Sequence, residues 1–272
     1  MKVAVIQMVS STNVQANCDV ARQLLEEAAR QGAELAVLPE YFCLLGWKDT
    51  DKLQVAEALG SGPIQDFLSR CARELGLWIV GGTLPLATDL VPGQPARVYN
   101  STLVYGPAGH CVARYDKIHL FRFDSGQEKF DETRVLLPGR LPVAFDLPSA
   151  DGSVWRIGLS ICYDLRFPEL YRALKADMLL VPSAFTFTTG QAHWEILLRA
   201  RAIENLAYVL AAAQGGTHEN KRRTWGHSMV VDPWGSVLAQ QVQGPGVVFA
   251  EALKSHLQIE RGRLGALGHV VL

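Results

Sequence analysis

The chain has 272 residues, 49% of them apolar, and its 26 Lys and Arg against 27 Asp and Glu leave a formal charge of −1. That length supports a large core, and the balanced charge provides no basic stripe of the kind nucleic acid demands. No apolar stretch approaches the length a bilayer requires, so neither nucleic acid nor a membrane is an expected partner.

The opening Met1–Met8 carries one positive charge and then alternates like a strand, unlike a signal peptide. The cysteines at 18, 43, 71, 111 and 162 are odd in number and scattered, with no CxxC pair, which argues against a disulfide framework and a zinc ribbon. A cytoplasmic protein without metal or cofactor is expected.

Alternating elements follow. Lys2 to Met8 reads as a strand. Val14 to Arg30 carries a helical apolar stripe through Val20, Ala21, Leu24, Leu25 and Ala28, closed at Gly32. Leu35 to Leu38 is a short buried strand stopped by Pro39. Gly62-Pro63 opens a second helix through Leu75, and Leu77 to Gly82 is the next strand. Val98 to Tyr105 and His110 to Tyr115 flank Gly106-Pro-Ala-Gly109 as a hairpin. Then come a strand at Arg156 to Ile161, a helix at Leu170 to Lys175 and a strand at Met178 to Val181. A helix at Trp194 to Asn205, a strand at Tyr208 to Ala213 and a hairpin turning at Asp232-Pro-Trp-Gly235 complete the pattern. No linker divides the chain, so one α/β domain over residues 1–272, with two packed sheets layered by helices, is expected.

Three ionisable residues sit at strand ends: Glu40 in Leu-Pro-Glu-Tyr-Phe, Lys117 in Tyr-Asp-Lys-Ile-His-Leu-Phe, and Cys162 in Ser-Ile-Cys-Tyr-Asp-Leu-Arg-Phe-Pro-Glu-Leu. A strand cysteine alone is more often core than functional. Together the three are equipped for acyl transfer. A thiolate attacks a carbonyl or nitrile carbon, and a carboxylate in an apolar setting carries the proton to the leaving amine. An ammonium and the Tyr163 N–H then hold the developing oxyanion.

These segments, in this order, resemble the nitrilase superfamily, and the likeness continues through Pro182-Ser-Ala-Phe185, His193-Trp-Glu195 and Gly226 to Gly235. The resemblance implies a four-layer α-β-β-α sandwich that usually pairs into homodimers or larger homo-oligomers. It also implies hydrolysis of a non-peptide carbon–nitrogen bond, with Glu40 as general base, Lys117 as oxyanion stabiliser and Cys162 as nucleophile. A second family glutamate corresponds to Glu132 in Phe130-Asp-Glu-Thr, with Glu128 as the alternative. Tyr163-Asp164 stands where true nitrilases generally carry Trp-Glu, which points to a small amide as substrate. The stretch resembles the Nit branch, which includes ω-amidases and deaminated-glutathione amidases, and Ala213 to Ser228 looks closer to the latter.

Substrates of that kind carry carboxylates. Arg166 is either the group that binds one or a structural salt bridge at a helix start. Thr189, in a loop from Phe185 to Gly190, is a further pocket residue. Arg199, Arg201 and Glu204 have helical ion-pair spacing and read as scaffold. A Cys-His hydrolase using His119, His193 or His227, a metal site at His110, Cys111 and His119, and a non-catalytic scaffold are the rival readings.

Overall fold

The computed structural model describes residues 1–89, 93, 95–124, 126 and 129–269. Two sheets lie face to face. One has the strand order Gly246–Glu251, Lys2–Gln7, Leu35–Val37, Trp78–Val80, Val98–Tyr105 and Leu84–Ala87, with Cys111–Asp116 and Leu136–Leu137 also pairing Val98–Tyr105. The other runs Ala144–Pro148, Val154–Leu159, Met178–Leu180, Tyr208–Ala211, Ser228–Val231 and Val237–Gln241.

The period-2 alternation of a strand explains the layering. Val3, Val5, Leu35, Val37 and Val80 join the core that includes the second sheet. Their neighbours Ala4, Ile6, Ala36, Leu38 and Ile79 join a core with helices α1 (Val14–Arg30) and α2 (Pro63–Leu75). Helices α3 (Pro168–Leu174) and α4 (Phe187–Asn205) pack on the second sheet, completing the α-β-β-α sandwich. Parallel pairs meet in the middle of each sheet, and their strands are buried on both faces, which is why they read as unbroken apolar runs.

The expected elements recur within a few residues at either end, with one exception. Helix α4 begins at Phe187, seven residues before Trp194, so the supposed loop from Phe185 to Gly190 is mostly its first turn. Thr186 caps it, its hydroxyl accepting from Thr189 N at 3.3 Å. Gly190 is required inside the helix because Trp225 packs against it; a Cβ there would lie 2.2 Å from that of Trp225. Strands Leu84–Ala87, Ala144–Pro148 and Gly246–Glu251 and helix α5 (Lys254–Arg263) are additional to the sequence reading.

Asp177 ties α5 to the second sheet. It accepts from Lys254 Nζ at 2.6 Å, Arg261 Nη1 at 2.7 Å and the Arg156 N–H at 3.0 Å. Burial alone would raise its pKa, but Lys254, the Arg156 N–H and Arg261 outweigh it and hold the carboxyl below its ordinary value. A depressed acid contributes stability above its unfolded pKa and loses it as pH falls through the folded one. Asp177→Asn should therefore cost about 2–3 kcal/mol at neutral pH. In thermal melts the deficit should shrink as the pH is taken below about 4.

Candidate active site

Glu40, Lys117 and Cys162 reach one point from three different connections. Glu40 follows the Leu35–Val37 strand in a turn pressed against Gly82 (φ +51°), where a Cβ would sit 2.1 Å from the Pro39 carbonyl oxygen. Tyr41 takes φ +56° and donates its N–H to Thr83 Oγ1 at 2.8 Å. Lys117 follows the Cys111–Asp116 strand, its N–H bonded to the Asn100 carbonyl at 3.0 Å. Cys162 does not continue its strand. It opens a 3-10 turn, Cys162–Arg166, at φ +50°, with its N–H on the Pro182 carbonyl at 2.9 Å. Left-handed backbone at a non-glycine residue is costly and persists only where its surroundings dictate it.

Asp164 dictates it here. Fully buried, its carboxylate accepts from Ile161 N at 2.9 Å, Tyr115 Oη at 2.7 Å, His119 N at 3.0 Å and His119 Nδ1 at 2.7 Å. One side chain thus clamps the cysteine turn to the segment carrying Lys117. The Tyr163 N–H meets no acceptor among the described residues.

The Lys117 ammonium, 1% exposed, donates to Glu40 at 2.9 Å and to Glu132 at 2.9 Å. Burial would lower its pKa; Glu132 and Glu40 override this and hold it well above the ordinary lysine value. Glu40 also accepts from Asn100 Nδ2 at 2.9 Å and from Ala184 N at 2.9 Å. Its carboxyl is nevertheless raised, by burial above all, with Lys117 opposing and Glu132 adding to it. Burial, followed by the Glu40 charge, pushes the Cys162 thiol well up. These directions favour a neutral thiol at Cys162 and a charged ammonium at Lys117 held between two acids. Glu132 is fixed in turn by Tyr41 Oη at 2.8 Å and the Phe121 N–H at 2.6 Å. Glu128 lies outside the described residues.

Cys162 stands between two hollows. The larger, of about 400 Å³, has Glu40, Lys117, Glu132 and Cys162 on its floor and Lys52, Lys221, Arg222 and Arg223 on its wall. The smaller, of about 20 Å³, is bordered by Cys162, Tyr163, Arg166, Phe185, Thr186 and Thr189. Arg166 makes no ion pair among the described residues. Its Nη1 lies 3.2 Å from His193 Nδ1, and its guanidinium lies 5.5 Å from the Phe185 ring centre and 5.7 Å from that of Tyr163. Thr189 shares a 2.8 Å hydrogen bond with the Thr186 hydroxyl. The three histidines weighed as bases are engaged elsewhere: His119 with Asp164, His193 with Arg166, and His227 Nδ1 with the Trp225 carbonyl at 2.9 Å. Arg199 pairs with Glu195 at 3.3 Å and Arg201 with Glu204 at 2.9 Å along α4.

Residues 2–256 match the carbon-nitrogen hydrolase family. The chain belongs to that family. A protein of Synechocystis sp. called deaminated glutathione amidase is 41% identical over 98% of this chain and 97% of its own length. Among solved structures, that of Caenorhabditis elegans NitFhit superposes with a TM-score of 0.86 at 37% identity, over 99% of this chain and 64% of that longer one. Saccharomyces cerevisiae Nit3, described as a member of branch 10 of the nitrilase superfamily, gives a TM-score of 0.84 at 29% identity, covering 97% of this chain and 94% of Nit3.

Several site residues of this carbon-nitrogen hydrolase went unread in the sequence. Asp164 was visible only as a residue that differs from nitrilases, and Asn100 looked like an ordinary strand position. The run Lys221-Arg222-Arg223 was the available sign of a cationic wall, but a charge run is usually just a solvated face. Among the described residues no helix is long and apolar enough to cross a membrane.

Asp164→Asn would set an NH₂ group against donors that now share a carboxylate. A loss of about 2–4 kcal/mol is expected, seen as a lower melting temperature together with collapse of activity. A variant as stable as the parent would show that Asp164 does not hold the turn.

Proposed function

We propose that the chain is an amidase acting on a small, carboxylate-bearing amide through a cysteine thioester, and that its substrate is deaminated glutathione. The observation that carries the chemistry is the buried Lys117 ammonium held at 2.9 Å by both Glu40 and Glu132, beside Cys162 at the base of an open cavity. The substrate rests on relatives named deaminated glutathione amidase, 41% identical over 98% of this chain in Synechocystis sp. and likewise in Homo sapiens.

The reaction runs without further reagents than water. Glu40 takes the Cys162 thiol proton as sulfur attacks the amide carbon. The oxyanion is met by the Tyr163 N–H and by the one N–H of Lys117 that neither carboxylate engages. Collapse breaks the carbon–nitrogen bond, and the amine leaves with the proton held on Glu40, whose raised pKa suits it to donate. Glu40 then deprotonates a water that attacks the thioester; the carboxylic acid departs and the thiol recovers its proton. Glu132 keeps Lys117 oriented. Arg166, bonded to His193 through one N–H, borders the small hollow with Thr189 and offers its remaining N–H groups to the carboxylate of the acyl chain.

Cys162→Ala should abolish hydrolysis with the fold intact, and Lys117→Ala should lower kcat by about 10²–10³. Release of amine from deaminated glutathione, 2-oxoglutaramate, a nitrile and an N-carbamoyl amino acid, measured side by side, tests the assignment. Preference for 2-oxoglutaramate would favour an ω-amidase, and indifference to all four would leave a scaffold protein.

Pairing into dimers belongs to the same reading. Ile203 on α4 and Trp234, 46% and 54% exposed, adjoin at Gly235 and offer an apolar patch to a second copy. Sedimentation should give twice the monomer mass, and Trp234→Glu should reduce it.

A further inference from the structure

The larger hollow bears on which amine the substrate carries. Cys162 opens on a space of about 400 Å³ bordered by Lys52, Lys221, Arg222 and Arg223, far more room than a primary amide needs. We propose that Arg223 binds a carboxylate on the leaving amine, and so selects amides that are charged at both ends. This rests on the amidase reading above and adds to it a specificity residue for the amine portion of the substrate.

The charges of the chamber can be balanced one by one. Glu40 and Glu132 share Lys117. Asp49 is taken by Arg222 at 2.8 Å and approached by Lys52 at 3.9 Å, and Lys52 also lies 4.5 Å from the centre of the Tyr41 ring. Asp131 accepts from the Thr133 hydroxyl and faces Arg122 at 3.6 Å. Among the described residues this leaves Lys221 and Arg223 without an acidic partner.

Arg223 is the one held in place. Its guanidinium carbon lies 4.0 Å from the centre of the Phe187 ring, and its carbonyl accepts from Phe187 N at 3.2 Å. Phe187 meets Trp225 edge-on with ring centres 5.1 Å apart, and Trp225 packs against Gly190 of α4. The loop beneath is equally tied. His218 is buried between the Ser10 carbonyl at 2.8 Å and the Thr224 hydroxyl at 2.7 Å, and Asn220 Nδ2 donates to the Leu45 and Gly46 carbonyls at 3.0 and 2.7 Å. A planar fork stacked on a ring has lost most of its freedom before any ligand arrives and fits a carboxylate with two hydrogen bonds. Both residues are exposed, but Lys221 offers only a point charge on a flexible stem, whereas the Arg223 fork is stacked on Phe187.

Deaminated glutathione has the required form: an oxo-acid acyl group bearing one carboxylate, joined through the amide to cysteinylglycine, which bears another. Three substrates that share the acyl group separate the contributions. They are 2-oxoglutaramate, deaminated glutathione, and deaminated glutathione with its glycine carboxylate capped as an amide. The wild-type chain should prefer the uncapped over the capped compound by about 10–100-fold in kcat/KM. In Arg223→Gln that preference should vanish, with the ratio of kcat/KM for deaminated glutathione over 2-oxoglutaramate falling by the same factor, chiefly through KM. Arg223→Lys should restore part of it, and circular dichroism melts should show both variants folded. Equal losses on all three substrates, an unchanged preference in Arg223→Gln, or a selective loss in Lys221→Gln instead would each overturn the assignment to Arg223. A wild-type chain that cleaves none of the three would sink the amidase reading itself, a result distinct from all of these.

Discussion

The site depends on a single buried cation. Lys117 has almost no contact with solvent, and an isolated ammonium there would surrender its proton. Glu40 and Glu132 prevent this, each at 2.9 Å. The same arrangement constrains the acids, since neither carboxylate can turn towards substrate without unpairing the lysine. A permanent positive charge and a base of raised pKa are therefore two aspects of one ion network. Its members come from three connections, with Glu40 far in sequence from Lys117 and Glu132.

Keeping those connections in register takes more material than the chemistry itself. Asp164 joins the cysteine turn to the lysine segment through four hydrogen bonds, and Tyr41, Phe121, Asn100 and Ala184 fix the two glutamates. The left-handed backbone at Tyr41 and Cys162 is the cost of aiming two side chains out of buried strands into one cavity. Two packed sheets supply the stiffness that supports it. Core residues alternate so that each central strand is anchored both to a helix layer and to the opposite sheet.

The layout of the hollows extends this logic to substrate. A small hollow bordered by Arg166 and a large one bordered by several cations share Cys162. In the proposed mechanism two parts of the substrate must be accommodated at Cys162, an acyl group that stays and an amine that goes. Under the proposed reading, guanidinium groups bordering both hollows suit an amide that is charged at both ends.

Much of this was legible in the chain as written. Alternation and helical stripes located most of the central strands and helices, because buried strands and amphipathic helices obey local periodicities that nothing else imitates. Leu-Pro-Glu40, Asp-Lys117-Ile-His and Ile-Cys162-Tyr-Asp announced their chemistry because those residue types are expensive at strand ends without a use. The early start of α4 was hidden, since Thr188-Thr-Gly190 looks like a loop until Trp225 packs against the glycine. Sequence by itself determined the family and, through that resemblance, the layered fold, and it singled out Glu40, Lys117 and Cys162 as candidates, all of which rest on short stretches. Only the tertiary structure decided which acids share Lys117, that Asp164 clamps the Cys162 turn, and that Arg223 has no acidic partner among the described residues. Those are facts about which residues distant in sequence become neighbours, and no local pattern carries them.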